Sequence, residues 1–213
     1  MPTSPSPLQD LRARIAHIER GLTDTPWPAV SLSPLIDRHL PEGGLARGAL
    51  HEVLAADPGA GVAFSASILG RLAGPVLWIA PAADAVWPPG LQTLGLCVSR
   101  LILVQYRQPA EGLWALEEAL RSPALQGAVL QIPHLDLTAA RRLQLATEAT
   151  GSLGLLLRPA TAAQGPSNAL TRWRVAARPE PRARPAWQLD LLRCRGGQPG
   201  SWAVVGPELA APP

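Results

Sequence analysis

The sequence predicts an α/β fold: a mainly parallel sheet flanked by helices, with an N-terminal helical arm and C-terminal antiparallel strands closing in a hairpin. Three observations predict it. Short, nearly unbroken apolar runs alternate with helix-length segments between Leu50 and Leu157, as strands buried on both faces and joined by right-handed crossovers require. After Gln164, Gly165 and Pro166 the pattern becomes alternating, with Trp173 and Val175, then Trp187, Leu189 and Leu191, then Trp202, Val204 and Val205, the period of half-buried antiparallel strands. Ahead of both lies an amphipathic stripe separated from the body by prolines.

Taken in order, residues 1–25 form the arm: Leu8, Leu11, Ile15, Ile18 and Leu22 recur at spacings of three or four with arginines and acids between them, one apolar stripe on a helix. That stripe is the candidate partner-binding surface, and the periodicity fits docking on its own core or on a neighbour equally well. Residues 26–43 carry Pro26, Pro28, Pro34 and Pro41 and read as a linker with a short turn at Leu35 and Ile36. The core spans 44–206. Its predicted strands are Leu50 to Leu54, Val76 to Ala80, Leu101 to Val104, Ala128 to Ile132 and Leu153 to Leu157. Its predicted helices are Phe64 to Leu72, Gly90 to Leu94, Glu111 to Leu120, and Thr138 to Thr150 ended by Gly151. A hairpin around Gly196, Gly197, Pro199 and Gly200 joins the last strands, and residues 207–213 form a tail.

Composition narrows the chemistry. The chain has 213 residues, 47% of them hydrophobic and 16% charged, a balance that folds rather than remaining disordered. No run approaches the roughly 20 apolar residues of a bilayer span, and Met1 is followed by Pro2, Ser4 and Pro5 rather than a basic and apolar leader, so the expectation is a cytoplasmic protein with no membrane contact. Cys97, Cys194 and four scattered histidines lack the clustering of a structural zinc site, and no metal or cofactor is expected. All 19 basic residues are arginine. Without lysine there is no Schiff base and no phosphate-binding lysine of a standard P-loop.

One segment nevertheless takes the place of a P-loop: "GGLARGALHEVLAADPGAGVAF" leads from a strand through a glycine-bearing turn into a helix. Laid over G-x-x-x-x-G-K-[ST], Ala56 falls at the first glycine, Gly61 at the second, Val62 at the lysine and Ala63 at the magnesium-binding hydroxyl. With the ordered segments "LPEGGLARGALHEV", "PVLWIAPAADAVWPPGLQTLGL", "RLILVQYRQPAEGLWALEEALRS", "GAVLQI", "RRLQLATEATGSLGLLLRP", "SNALTRWRV" and "LLRCRGGQPGSW", nearly the whole chain resembles the ImuA family of RecA-like accessory proteins. The resemblance implies a RecA-like core that works in damage-induced translesion synthesis with the polymerase-like, Y-family ImuB and an error-prone C-family DNA polymerase. RecA, single-stranded DNA and a second copy of the chain are further candidate partners. It also implies vacancies. Ala82 and Ala83 stand where RecA places the water-activating glutamate, with Asp84 out of register, and Gln131 stands where an aspartate would assist magnesium. An adaptor without ATPase activity is therefore expected; the alternative is a SulA-like division inhibitor acting on FtsZ, whose chains are shorter at both ends.

Charge is polarised. Seven arginines between Arg172 and Arg195 face only Glu180 and Asp190, while the remaining twelve face fourteen acids. Arg172, Arg174, Arg193 and Arg195 are the candidate nucleic-acid contacts, with Trp173 and Trp187 as stacking surfaces if they are not core. His51, His134 and Asp136 have no nucleophile placed beside them by any motif and receive no catalytic role.

Overall fold

Proline sets the start of most helices. In the computed structural model, which describes residues 27–81, 86–180 and 184–205, α1 (Pro34–Asp37), α2 (Pro58–Gly70), α3 (Pro88–Gln92) and α4 (Pro109–Arg121) all begin on proline, where the fixed φ suits the first turn and the missing N–H costs nothing. Helix α5 (Leu137–Thr150) instead starts on Asp136, whose carboxylate accepts from Ala139 N at 2.7 Å, and ends on Gly151 at φ 73°. The sequence expectation started α2 and α4 too late because it treated these prolines as breaks.

Eight strands make one sheet: β1 (Ala49–Ala55), β2 (Val76–Ala80), β3 (Leu101–Gln105), β4 (Gly127–Gln131), β5 (Leu153–Pro159), β6 (Thr171–Ala177), β7 (Ala186–Cys194) and β8 (Gly200–Val205), in the order β3-β2-β4-β5-β1-β6-β7-β8. The strands from β3 to β6 are parallel; β7 and β8 are antiparallel. The mainly parallel α/β architecture with antiparallel strands at one edge is thus as predicted. Strand β6 differs in one respect, because it pairs parallel with β1 before β7 turns back on it.

Each face of the sheet has its own core. On one, Phe64 and Ile68 of α2 meet Val53, Trp78, Leu155 and Trp173; on the other, Leu116 and Leu120 of α4 and Leu143 of α5 meet Leu50, Ile79, Leu130 and Leu156. Gly61 is required by this packing, since a Cβ there would lie 2.6 Å from that of Ala55 and 2.7 Å from a Leu157 methyl.

Two expectations change. Residues 26–43 are not a bare linker: Val30, Leu32, Ile36 and Leu40 are buried in the α2-side core, Val30 exchanges 2.8 Å backbone hydrogen bonds with Leu45, and Asp37 accepts from Leu32 N and Ser31 Oγ. The prolines bend this segment between apolar anchors. Strand β3 is an edge, not a doubly buried strand, and its Ile102 and Leu103 are half exposed. The arm residues Leu8, Leu11, Ile15, Ile18 and Leu22, together with Ala82, Ala83, Asp84 and the tail 207–213, lie outside the described residues. No described helix is long and apolar enough to cross a membrane.

Candidate functional site

At the carboxyl ends of β1, β4 and β5, where open α/β sheets place their ligands, lies a hollow of about 530 Å³ lined by Ala56, Pro58, Val62, Gln131, Ile132 and Arg158 among others. It sits where the sequence places the degenerate P-loop. In a working P-loop the residues between the two glycines arch over phosphate and offer it backbone N–H groups. Here they do not arch. Helix α2 already begins at Pro58, so the positions between Ala56 and Gly61 are mostly its first turn. Pro58 has no N–H to offer, and Asp57 places a carboxylate at the helix N-terminus, where the backbone dipole would otherwise favour an anion. Asp57 is held there by accepting from Ala177 N at 2.8 Å. Val62 and Ala63 pack against the core, and the Gln131 amide nitrogen, in the position of a magnesium-assisting aspartate, is buried with no hydrogen-bond partner among the described residues.

Beneath the hollow sits an ion triad that the sequence analysis missed. Glu52 is fully buried, with Arg158 at 2.5 Å and Arg172 at 2.6 Å. Arg172 also donates to the carbonyls of Ala163 and Gly165, each at 2.9 Å, and Arg158 donates to Pro133 O. The available signal was Glu52 itself, a carboxylate inside the apolar strand "ALHEVLA", which demands a partner. Arg172 is therefore removed from the candidate nucleic-acid contacts: its fork is spent inside the protein. Trp173 and Trp187 are removed as stacking surfaces, being 0% and 2% exposed, because they are the core-facing positions of β6 and β7.

The opposite positions of β6, β7 and β8 form a polar face. Arg174 pairs with Asp190 at 3.2 Å, Ser201 Oγ donates to Asp190 at 2.7 Å, Gln188 donates to Ser201, and Arg178 donates to Gln188. Burial pushes the Asp190 carboxyl up, but the hydrogen bonds from Ser201 and Gln188 with the Arg174 charge more than offset it and leave it below the usual carboxylate range. Arg193 is exposed and donates to Ser167 O at 2.7 Å. Arg195 is half-buried; burial lowers its guanidinium, and the like charges of Arg193 and Arg141 lower it further. The four predicted arginines thus separate into one buried in the triad, one ion-paired and two clustered with Arg141. His51 is structural, bonded to Thr171 Oγ1 and Ala46 O, and Asp136 is the cap of α5.

The chain is 39% identical to protein ImuA of Caulobacter vibrioides, in each of two strains, over 212 aligned positions that cover 87% of this chain and 86% of that protein. The chain belongs to the ImuA family. No family model matches it. Among solved structures, the RadB recombinase superposes with a TM-score of 0.56 at 14% identity, covering 77% of this chain and 90% of that one, which places this ImuA-family fold among RecA-like sheets. SulA from Pseudomonas aeruginosa overlaps 52% of this chain and 97% of its own at 28% identity, with a TM-score of 0.45, too loosely to bear on function.

Proposed function

We propose that this ImuA-family chain is a nucleotide-independent, non-catalytic adaptor in DNA-damage mutagenesis, joining a polymerase-like, Y-family ImuB to an error-prone C-family polymerase. The family supplies the process. The observation that supports the nucleotide independence is the start of α2: a helix opening at Pro58 on a carboxylate-bearing cap takes the place of the arch of backbone donors that would cradle phosphate, while Val62 offers a methyl-bearing side chain where phosphoryl transfer needs a cation. A RecA-like site freed from ATP leaves an apolar, concave surface, and concave apolar sites suit protein anchors as well as small ligands.

The test has two arms. Calorimetric titration with magnesium-ATP is expected to give no saturable heat at micromolar concentrations, and micromolar binding overturns the nucleotide independence. Deleting the gene is expected to abolish damage-induced mutation while growth and division stay normal. A deletion that alters only filamentation after damage, with mutation frequency intact, overturns the adaptor reading in favour of a division inhibitor.

A further inference from the structure

Strands β6, β7 and β8 have one face in the α2-side core and the other outside it, and the centre of the outer face is a polar network in which Arg174, Gln188, Asp190 and Ser201 bond one another. Along the edge of this face nearest α5, three arginines converge from two elements and a turn. Arg193 comes from the last two residues of β7, Arg195 from the turn that follows the strand, and Arg141 from the second turn of α5. The segment 167–170 ties them together, since Ser167 O accepts from Arg193, Arg195 N donates to Leu170 O at 3.0 Å, and Asn168 donates to Leu137 O at the start of α5. Arg195 feels the charges of both Arg193 and Arg141. Among the described residues no carboxylate forms an ion pair with any of the three, although the neighbouring Arg142, Arg172 and Arg174 are all paired. Neighbouring arginines without a carboxylate partner, beside arginines that are each neutralised, mark a place where the counter-charge comes from outside.

We propose that Arg141, Arg193 and Arg195 form a phosphate-binding cluster that grips the backbone of single-stranded nucleic acid laid along the outer face of β6 and β7. The identity of the arginines follows from the chemistry of the face. Guanidinium forks take phosphate oxygens two at a time. Arg193 at the end of β7 and Arg195 in the following turn stand two residues apart, within about 7 Å along the backbone, a reach that successive phosphates of an extended single strand can match. An acidic protein segment is the less fitting occupant, because protein interfaces draw their energy from buried apolar and aromatic anchors, and this face holds its tryptophans on the other side. For the same reason the contact reads no base: nothing on the face stacks. The set differs from the one the sequence suggested, gaining Arg141 and losing both Arg172, spent on Glu52, and Arg174, paired with Asp190, and it stands independently of the adaptor reading.

Fluorescence anisotropy of the full chain with a labelled twenty-nucleotide oligo-dT at stepped salt concentrations tests it. Each phosphate contact contributes about 0.7 to the slope of log affinity against log salt, so the triple variant R141Q/R193Q/R195Q is expected to lower that slope by about 2, and R193Q alone by about 0.7. Arg141 and Arg193 are exposed and Arg195 is half-buried, and matching thermal melts of variant and parent secure the comparison. R174Q, which removes an arginine already paired with Asp190, is expected to leave the slope within error. A slope that the triple variant does not change, no measurable binding by the parent, or displacement of the oligonucleotide by polyglutamate of equal charge at lower concentration than by unlabelled oligo-dT each overturns the proposal.

Discussion

His51 shows how one buried side chain sets the acid limit of the fold. It lies at 0% exposure on β1, where Trp173 Nε1 donates to Thr171 Oγ1, the Thr171 hydroxyl serves His51 Nδ1 at 2.7 Å, and Nε2 donates to Ala46 O at 2.8 Å. Every position in that chain is filled by a neutral imidazole. Burial pushes the pKa down from 6.5 to about 4. In the unfolded chain the ring takes its proton near 6.5, in the folded chain only near 4, so between these values the unfolded state binds more protons. Stability is whole above pH 6.5 and is lost as pH falls towards 4, by up to about 3 kcal/mol. Carboxylates add their own acid sensitivity, and the decisive comparison is therefore with His51→Gln. Urea unfolding at pH 7.5 and pH 4.5 is expected to show a loss for the parent about 2 kcal/mol larger than for the variant. Equal losses in the two proteins would remove His51 as the source.

Among the elements, β3 and β1 separate what the sequence could and could not reveal. Both are short apolar runs, and nothing in "LILVQ" distinguishes it from "ALHEVLA" by hydropathy. Yet β1 lies between β5 and β6, while among the described residues β3 pairs with β2 alone. Sheet order is a long-range property, so the doubly buried period was legible and the edge was not. The same holds for the site: the missing lysine and hydroxyl at Val62 and Ala63 were visible in the letters, whereas the triad joining Glu52 to Arg158 and Arg172 spans more than 100 residues in sequence. The arginines illustrate this limit best, because local charge density groups Arg172 with Arg193 and only the fold sends one inward and the other outward. A measurable consequence follows for β3. Leu103→Lys, on a half-exposed edge position, is expected to change stability by no more than about 0.5 kcal/mol. Leu155→Lys, at a fully buried position of β5, is expected to abolish cooperative unfolding. If both substitutions proved equally disruptive in urea melts, β3 would have to be covered in solution by something else.

At the scale of the whole molecule, the sheet is covered unequally, and the division of labour follows from that. Strands β2, β4, β5 and β1 have helices on both faces, whereas β6, β7 and β8 keep one polar face outside either core. The described fold also closes on itself at its beginning. Trp27 lies against Gly48 and Gly151, both at positive φ; a Cβ on Gly151 would come within 2.2 Å of the indole, and Val30 to Leu40 complete the α2-side core. Residues from Trp27 onward therefore supply buried contacts of their own, which is the ground for expecting the apolar stripe of Leu8, Leu11, Ile15, Ile18 and Leu22 to be separable from them. A chain lacking residues 1–25 is expected to unfold in a single cooperative transition with Tm lowered by no more than about 4 °C, the shift that 1 kcal/mol produces in a domain of this size. Its association with the proposed polymerase-like partner is expected to weaken at least tenfold, and Ile15→Asp in the full chain is expected to do the same, because burying one such side chain stabilises a complex by about 1.5 to 3 kcal/mol before the entropic cost of docking. Circular dichroism melts and an association assay on the same two proteins separate the possibilities. Loss of cooperativity on truncation would assign the stripe to the core of its own chain, and intact association in both variants would leave partner binding to the hollow at the carboxyl ends of β1, β4 and β5.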